Sequence, residues 1–273
     1  MNTKQVLAVG LAVLGSAAMP SMAAQEGTKG TFALPGESEK VIGALVVKET
    51  GPLTRELSIA FTDKATGQPI VKFDEELTQQ LHVLATDSDF STFVHEHSAK
   101  LGADGRFNVA MKFPRPGIYH VYADAVPSGM GQQVVRFEVP VQGDVGYTAR
   151  PVEGADGPYT VKLDTSALRA GSESMMSLTV LKDGKPAQDL GNYLGVAAHA
   201  VFISTDDLSY VHAHAMAAPM AGHATHGDPS AVPGQLMLHA KPAHAGPYAL
   251  WVQFKGGNTI RTVPFLLTVP AAS

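Results

Sequence analysis

The sequence predicts an all-β protein: two tandem immunoglobulin-like, or cupredoxin-like, β-sandwich domains that follow a signal peptide. Three observations predict it. The chain reads as two copies of one pattern. Each copy breaks into about seven short runs rich in Val, Ile, Phe, Tyr and Thr, parted by Gly, Pro and Asp turns, which is the composition of strands in a sandwich. The 273 residues, 45% hydrophobic and 16% charged, suffice for two ordinary domains with full cores.

Residues 1–23 combine a positive charge at Lys4, an apolar stretch from Val6 to Met19 and the small-residue segment Ser21-Met22-Ala23, the pattern of a secretory leader cleaved after Ala23. The apolar stretch is short for a membrane span and is broken by Gly10, Gly15 and Pro20. A periplasmic or secreted protein, with no membrane span once the leader is removed, is therefore expected. The formal charge of −5 argues against nucleic acid and anionic membrane as partners. With Cys 0, disulfides, thiolate metal sites, iron-sulfur clusters and a blue-copper centre are excluded.

The first domain is expected over residues 30–142, with strand candidates Val41 to Lys48, Leu57 to Thr62, Leu81 to Thr86, Thr92 to His97, Phe107 to Phe113, Ile118 to Asp124 and Val134 to Val141. A Gly- and Pro-rich linker is expected at 143–158. The second domain, 159–270, offers Tyr159 to Leu163, Met176 to Val180, His199 to Ser204, Ser209 to His214, Leu236 to Ala240, Tyr248 to Phe254 and Thr259 to Thr268. Aromatic residues within these runs, among them Phe93, Tyr119, Tyr210, Tyr248 and Trp251, are expected to pack the cores.

The two copies align through their histidines. Gly67-Gln68-Pro69, His82, Asp87-Ser88-Asp89 and Phe93-Val94-His95-Glu96-His97 answer Gly184-Lys185-Pro186, His199, Asp206-Asp207 and Tyr210-Val211-His212-Ala213-His214. The first two histidines of each set are 13 residues apart in both copies. If Thr86 pairs with Phe93 across the Asp-containing turn, His82 falls opposite His97, and His95 shares the face of His97 because side chains alternate along a strand. Opposed Cβ atoms lie roughly 5 Å apart, a gap that imidazoles can close around an ion. The same construction groups His199, His212 and His214. Three imidazoles suit Cu(II), Zn(II) or, with a softer fourth ligand, Cu(I). The structural alternative, histidines that only hydrogen-bond within strands, has to hold twice. Affinity is expected to fall as pH drops through the imidazole range, because ligating histidines must be neutral.

A second feature has no counterpart in the first copy. After His214 the chain carries an insertion, the Met/His-rich loop 215–227, with Met216, Met220, His223 and His226. Thioethers are soft ligands that favour Cu(I) over Zn(II). His120, His239 and His244 lack equivalents in the other copy and are expected to be structural or surface residues. Glu96 alternates away from its flanking histidines. There is no Gly-x-Ser-x-Gly elbow, phosphate-binding glycine loop or His-Glu-x-x-His helix, so no enzyme is expected.

Asn192-Tyr193-Leu194-Gly195, His199, Tyr210-Val211-His212-Ala213-His214 and the run Gly246 to Phe254 resemble bacterial exported proteins with a YtkA-like or FixH-like immunoglobulin-type domain. The likeness covers most of the second half and, less closely, the first, where Glu76-Leu77-Thr78 replaces Tyr193-Leu194-Gly195. It implies copper handling or cytochrome oxidase assembly. The expected function is sequestration or delivery of a transition metal, copper before zinc, with the metal ion and a periplasmic metal-transfer or envelope protein as partners. The alternatives are a non-metal interaction module that docks an envelope partner, and a His-ligated copper oxidoreductase.

Overall fold

The computed structural model describes residues 27–34, 37–143, 151–217 and 232–272, so the expected leader lies outside the described residues. Every described element is a β-strand and every pairing is antiparallel, as the composition predicts. In the first copy, β1 (Thr28–Gly30), β2 (Val41–Gly51), β3 (Thr54–Asp63) and β7 (Phe107–Lys112) form one sheet. The facing sheet contains β4 (Phe73–Asp74), β5 (Leu81–Asp87), β6 (Phe93–Ser98), β8 (Gly117–Pro127) and β9 (Gln133–Val141), with β5 between β6 and β8. Strands β3 and β7 alternate buried and less buried residues, which leaves one face for the core, where Leu57, Ile59, Phe61, Phe107 and Val109 meet residues of the second sheet.

The second copy repeats the plan with β10 (Ala155–Asp156), β11 (Tyr159–Asp164), β12 (Ser174–Lys182), β13 (Lys185–Pro186), β14 (Leu190–Gly191), β15 (Ala198–Ser204), β16 (Tyr210–Ala217), β17 (Gln235–Ala240), β18 (Gly246–Gly256) and β19 (Thr259–Val269). Two expectations change. Ala155 and Asp156, placed in the linker by their Gly-rich surroundings, hydrogen-bond to β11 as a strand of the second domain. The segment 215–217, placed in the Met/His loop, continues β16, because Ala215 to Ala217 pair with Leu238 to Leu236. That pairing also joins the two sheets of this domain along one edge.

Strands β5 and β15 are buried at every position. A strand covered on one face alternates; one buried throughout is covered on both. In β5, Leu81, Val83 and Ala85 enter the first domain's core, whereas Leu84 joins a separate cluster with Tyr122, Val134, Val201, Ile203, Tyr210, Ala249 and Trp251. In β15, Ala198, Ala200 and Phe202 face the second core, and Val201 and Ile203 face that shared cluster. The second sheets of the two domains therefore stack on each other, face to face. Tyr122 on β8 stacks on Tyr210 on β16, with centroids 5.0 Å apart, and Phe93 on β6 stacks on Trp251 on β18 at 4.9 Å. The contacts are mates under the internal repeat, since β6 corresponds to β16 and β8 to β18. Phe93, Tyr210 and Trp251, expected in the domain cores, thus pack between the domains, while Tyr119 and Tyr248 do lie in the cores.

Candidate metal centre

The histidines sit on the face of β5, β6, β15 and β16 that looks into this interface. Local sequence sets their register. Asp87 closes the β5–β6 hairpin by accepting from the Ser91 and Thr92 amides at 2.8 and 3.1 Å, and Phe90 adopts the left-handed φ of 54° that the turn needs. Thr86 then pairs with Phe93 and His82 with His97. In the second domain Ser204 and Asp207 hold the turn, Leu208 has φ 62°, and His199 pairs with His214. Arg115 bridges Asp87 and Asp89, and in the second domain His244 contacts Asp207 at 2.7 Å. His244 is the counterpart of Arg115, two positions before the glycine that opens β8 or β18, and its role is to brace the turn.

Each triplet converges. In the groups His82, His95, His97 and His199, His212, His214, one nitrogen per ring lies within 4.8 Å of the others, so each triad could hold a metal ion. Hydrogen bonds fix which nitrogens those are. The Glu76 carbonyl, 3.1 Å from His82 Nε2, can only accept, so the proton of the neutral ring is on Nε2. Gln253 gives its amide N–H to Thr262 at 2.9 Å and turns its Oε1 to His95 Nδ1 at 2.8 Å, which places the proton of His95 on Nδ1. The nitrogens left over, His82 Nδ1 and His95 Nε2, are both acceptors and face each other at 3.4 Å. In the second triad His199 Nε2 donates to the Tyr193 carbonyl at 3.1 Å, which leaves His199 Nδ1 as an acceptor 3.3 Å from His212 Nε2, and no hydrogen bond fixes which nitrogen of His212 carries the proton. In the third ring of each triad, His97 Nε2 and His214 Nε2 are buried without a hydrogen-bond partner.

Protons do not resolve these meetings. Burial, reinforced by the neighbouring imidazoles, pushes His95 and His212 well below the usual histidine range, His97 and His199 to about 3 and His214 to about 4. In the first triad, two neutral acceptors aimed at each other lack a partner. Two nitrogens bonded to one tetrahedral ion at about 2.0–2.1 Å stand about 3.3 Å apart, which is the separation found in both triads.

The carbonyls that orient His82 and His199 come from matching two-residue turns. Leu77 and Thr78 have φ of 50° and 72°, and Leu194 and Gly195 have 50° and 85°. Thr78 thus adopts the backbone shape that Gly195 takes freely, so the sequence difference between the copies leaves the carbonyl in place. The other two supports cross between domains: Gln253 of the second domain holds His95 of the first, and Asp124 of the first lies 3.4 Å from His212 Nδ1, outside hydrogen-bond alignment. Asp124 also accepts from Tyr210 at 3.0 Å and Gln132 at 2.8 Å, and burial raises its carboxyl to about 6. Asp124 and Gln253 hold equivalent positions, opposite His82 on β8 and opposite His199 on β18. Both were missed from sequence, because their role depends on how the domains dock.

The remaining candidates lie outside the two triads, although His239 is the cross-strand partner of His214. Met216 is exposed near the end of β16; Met220, His223 and His226 lie outside the described residues. His239 pairs with Glu173 at 2.9 Å on the surface, and His120 lies 3.8 Å from Glu138 against the Phe90 ring. Glu96 is exposed, on the strand face opposite its flanking histidines. No helix among the described residues is long and apolar enough to cross a membrane.

No curated protein matches the chain. Among solved structures, domains 4 and 5 of the S-layer protein SbsC align over 89% of this chain and 93% of that one, with 12% identity and a TM-score of 0.24, a likeness too weak to carry function. A family model matches residues 43–143 and again 153–271, one match for each copy of the repeat. The chain therefore belongs, through both of its domains, to the family described as Domain of unknown function (DUF8832).

Proposed function

We propose that the protein binds copper through its two histidine triads and serves to sequester or deliver the ion outside the cytoplasm. The observation that carries this reading is the pair of imidazole nitrogens facing each other at 3.3–3.4 Å in both triads, both of them acceptors in the first, with a third buried nitrogen unpartnered in each triad. An ion is the species that satisfies three convergent lone pairs at once. The donor set is all imidazole, which accepts copper, zinc, nickel or iron; among divalent ions at one such site Cu(II) binds tightest. The thioethers of Met216 and Met220 beyond the second triad favour capture of Cu(I), and the resemblance to exported YtkA-like and FixH-like domains supports the same metal. The N-terminal pattern supports export, where copper is encountered. A metal-transfer or envelope protein is the partner that delivery requires.

Metal analysis of untagged protein, before and after exposure to copper and zinc, tests the proposal. Stoichiometric copper that survives desalting, and is lost when the triad histidines are changed to alanine, is expected. Uptake unchanged in the sixfold variant would discard the site. Turnover with ascorbate and oxygen would instead favour a copper oxidoreductase.

A further inference from the structure

The triads belong to different domains, yet they are neighbours. His82 lies 5.2 Å from His212 and 6.3 Å from His199, and His95 lies 5.6 and 5.8 Å from the same two rings, all between centroids. Within a triad the centroid spacings run from 4.2 to 5.6 Å. The gap between triads is thus scarcely larger than the gaps inside them. The close nitrogen pairs, however, fall only within triads, His82 with His95 and His199 with His212. Six ligand nitrogens therefore divide into two sets of three, side by side in one buried chamber.

We infer that the two triads are halves of a single dinuclear centre, which takes two transition-metal ions at adjacent positions across the domain interface. The inference rests on the metal-binding reading above and deepens it. The supporting residues make each half depend on the other domain. Gln253 directs the free nitrogen of His95 toward the first position, and Asp124 faces the Nδ1 of His212 at the second. Carboxylates and amide oxygens on the far nitrogen of a ligating imidazole set its tautomer and raise its basicity. The stacked pairs Tyr122 with Tyr210 and Phe93 with Trp251 flank the chamber and hold the two halves in register. An isolated domain would carry three imidazoles and lack one of the groups that orient them.

The test uses the full chain carrying Met220→Ala, His223→Ala and His226→Ala, so that ions taken up by the insertion do not enter the count. Apo protein is titrated with Cu(II), desalted, analysed for copper and examined by electron paramagnetic resonance. Two coppers per chain are expected, with a magnetically coupled spectrum: a half-field transition, or an integrated intensity well below that of two isolated ions. Changing His199, His212 and His214 to alanine in the same chain should leave one copper and restore the uncoupled signal, with circular dichroism confirming the fold. Should that variant not fold, the parent spectrum decides alone. Two coppers with the full intensity of isolated ions, or a single copper per chain, would overturn the dinuclear centre and leave metal binding standing. No copper at all would remove both.

Discussion

At the scale of single residues, the chamber depends on groups that never touch the ion. If Gln253 and Asp124 act as positioning residues across the interface, Gln253→Ala should weaken metal binding at the first triad, and Asp124→Asn at the second, each by about 10- to 100-fold. Competition against a chromophoric chelator, in chains that retain one triad at a time, reads the two sites separately. Weakening at the triad of the residue's own domain would contradict the arrangement. Thr78 offers a second handle. It is an exposed β-branched residue at φ 72°, where the equivalent position is Gly195. Left-handed backbone at such a residue costs about 1–2 kcal/mol, part of which glycine returns through its looser unfolded chain. Thr78→Gly should raise the unfolding free energy measured by urea titration by up to about 1 kcal/mol, without altering metal affinity, since the Glu76 carbonyl stays where it is.

Titration belongs to the same scale. Five imidazoles of the chamber have folded-state values lowered by burial, three of them to about 3 or 4, below the usual histidine value of 6.5. Between those values and 6.5 the unfolded chain holds more protons than the folded one, so these groups contribute stability that is present above pH 6.5 and lost as pH falls toward 3. Asp124, raised to about 6, and Glu76, raised to about 7, both by burial first, act in the opposite direction, favouring the fold as pH falls below those values. The imidazoles outnumber them, and the apo protein should lose stability steadily below pH 6.5 in urea titrations. Proton competition for the metal is displaced in the same way. Bound copper should therefore be retained below pH 6.5 and released only as pH approaches the lowered imidazole values. Release in step with the usual histidine titration would show that the rings are wetter than their burial implies.

At the scale of elements, β5 and β15 explain why histidines stand among apolar residues. Each central strand feeds its domain core with one set of alternate residues and the interface with the other, which holds Leu84, Val201, Ile203 and the first histidine of each triad. The aromatic pairs on β6, β8, β16 and β18 seal the same layer. Trp251 is 2% exposed and stacks on Phe93 at an interplanar angle of 13°. Trp251→Ala should therefore cost about 3 kcal/mol or more, seen as a lower denaturation midpoint. Because the lost contact lies between domains, copper affinity should drop with it. A loss of stability with full affinity for two coppers would mean that the chamber does not rely on this stack.

At the scale of the whole molecule, metal and domain docking are linked, because an ion that binds only the closed arrangement stabilises it. At free copper about 100 times the dissociation constant the stabilisation is about 2.7 kcal/mol. For a protein of this size that corresponds to a rise of roughly 5–10 °C in the melting midpoint. Calorimetry should show the increase on loading and its reversal by a chelator. A copper-bound protein that melts at the apo temperature would uncouple binding from the fold.

The sequence by itself determined the β-class, the repeat and the grouping of histidines within each domain, because these depend on local rules: strand composition, turn chemistry and the two-residue alternation that places His82 opposite His97. It also set the three added histidines apart from the repeated triplets, and the structure places His239 beside Glu173 and His244 beside Asp207. It did not reveal that β5 and β15 are covered on both faces, that Phe93 and Trp251 meet, or that Gln253 and Asp124 attend histidines of the opposite domain. Those facts belong to contacts between residues as far as 158 positions apart. No periodicity encodes such a meeting; only the docking of two repeated sheets, driven by the apolar residues between them, turns two separate triads into one chamber.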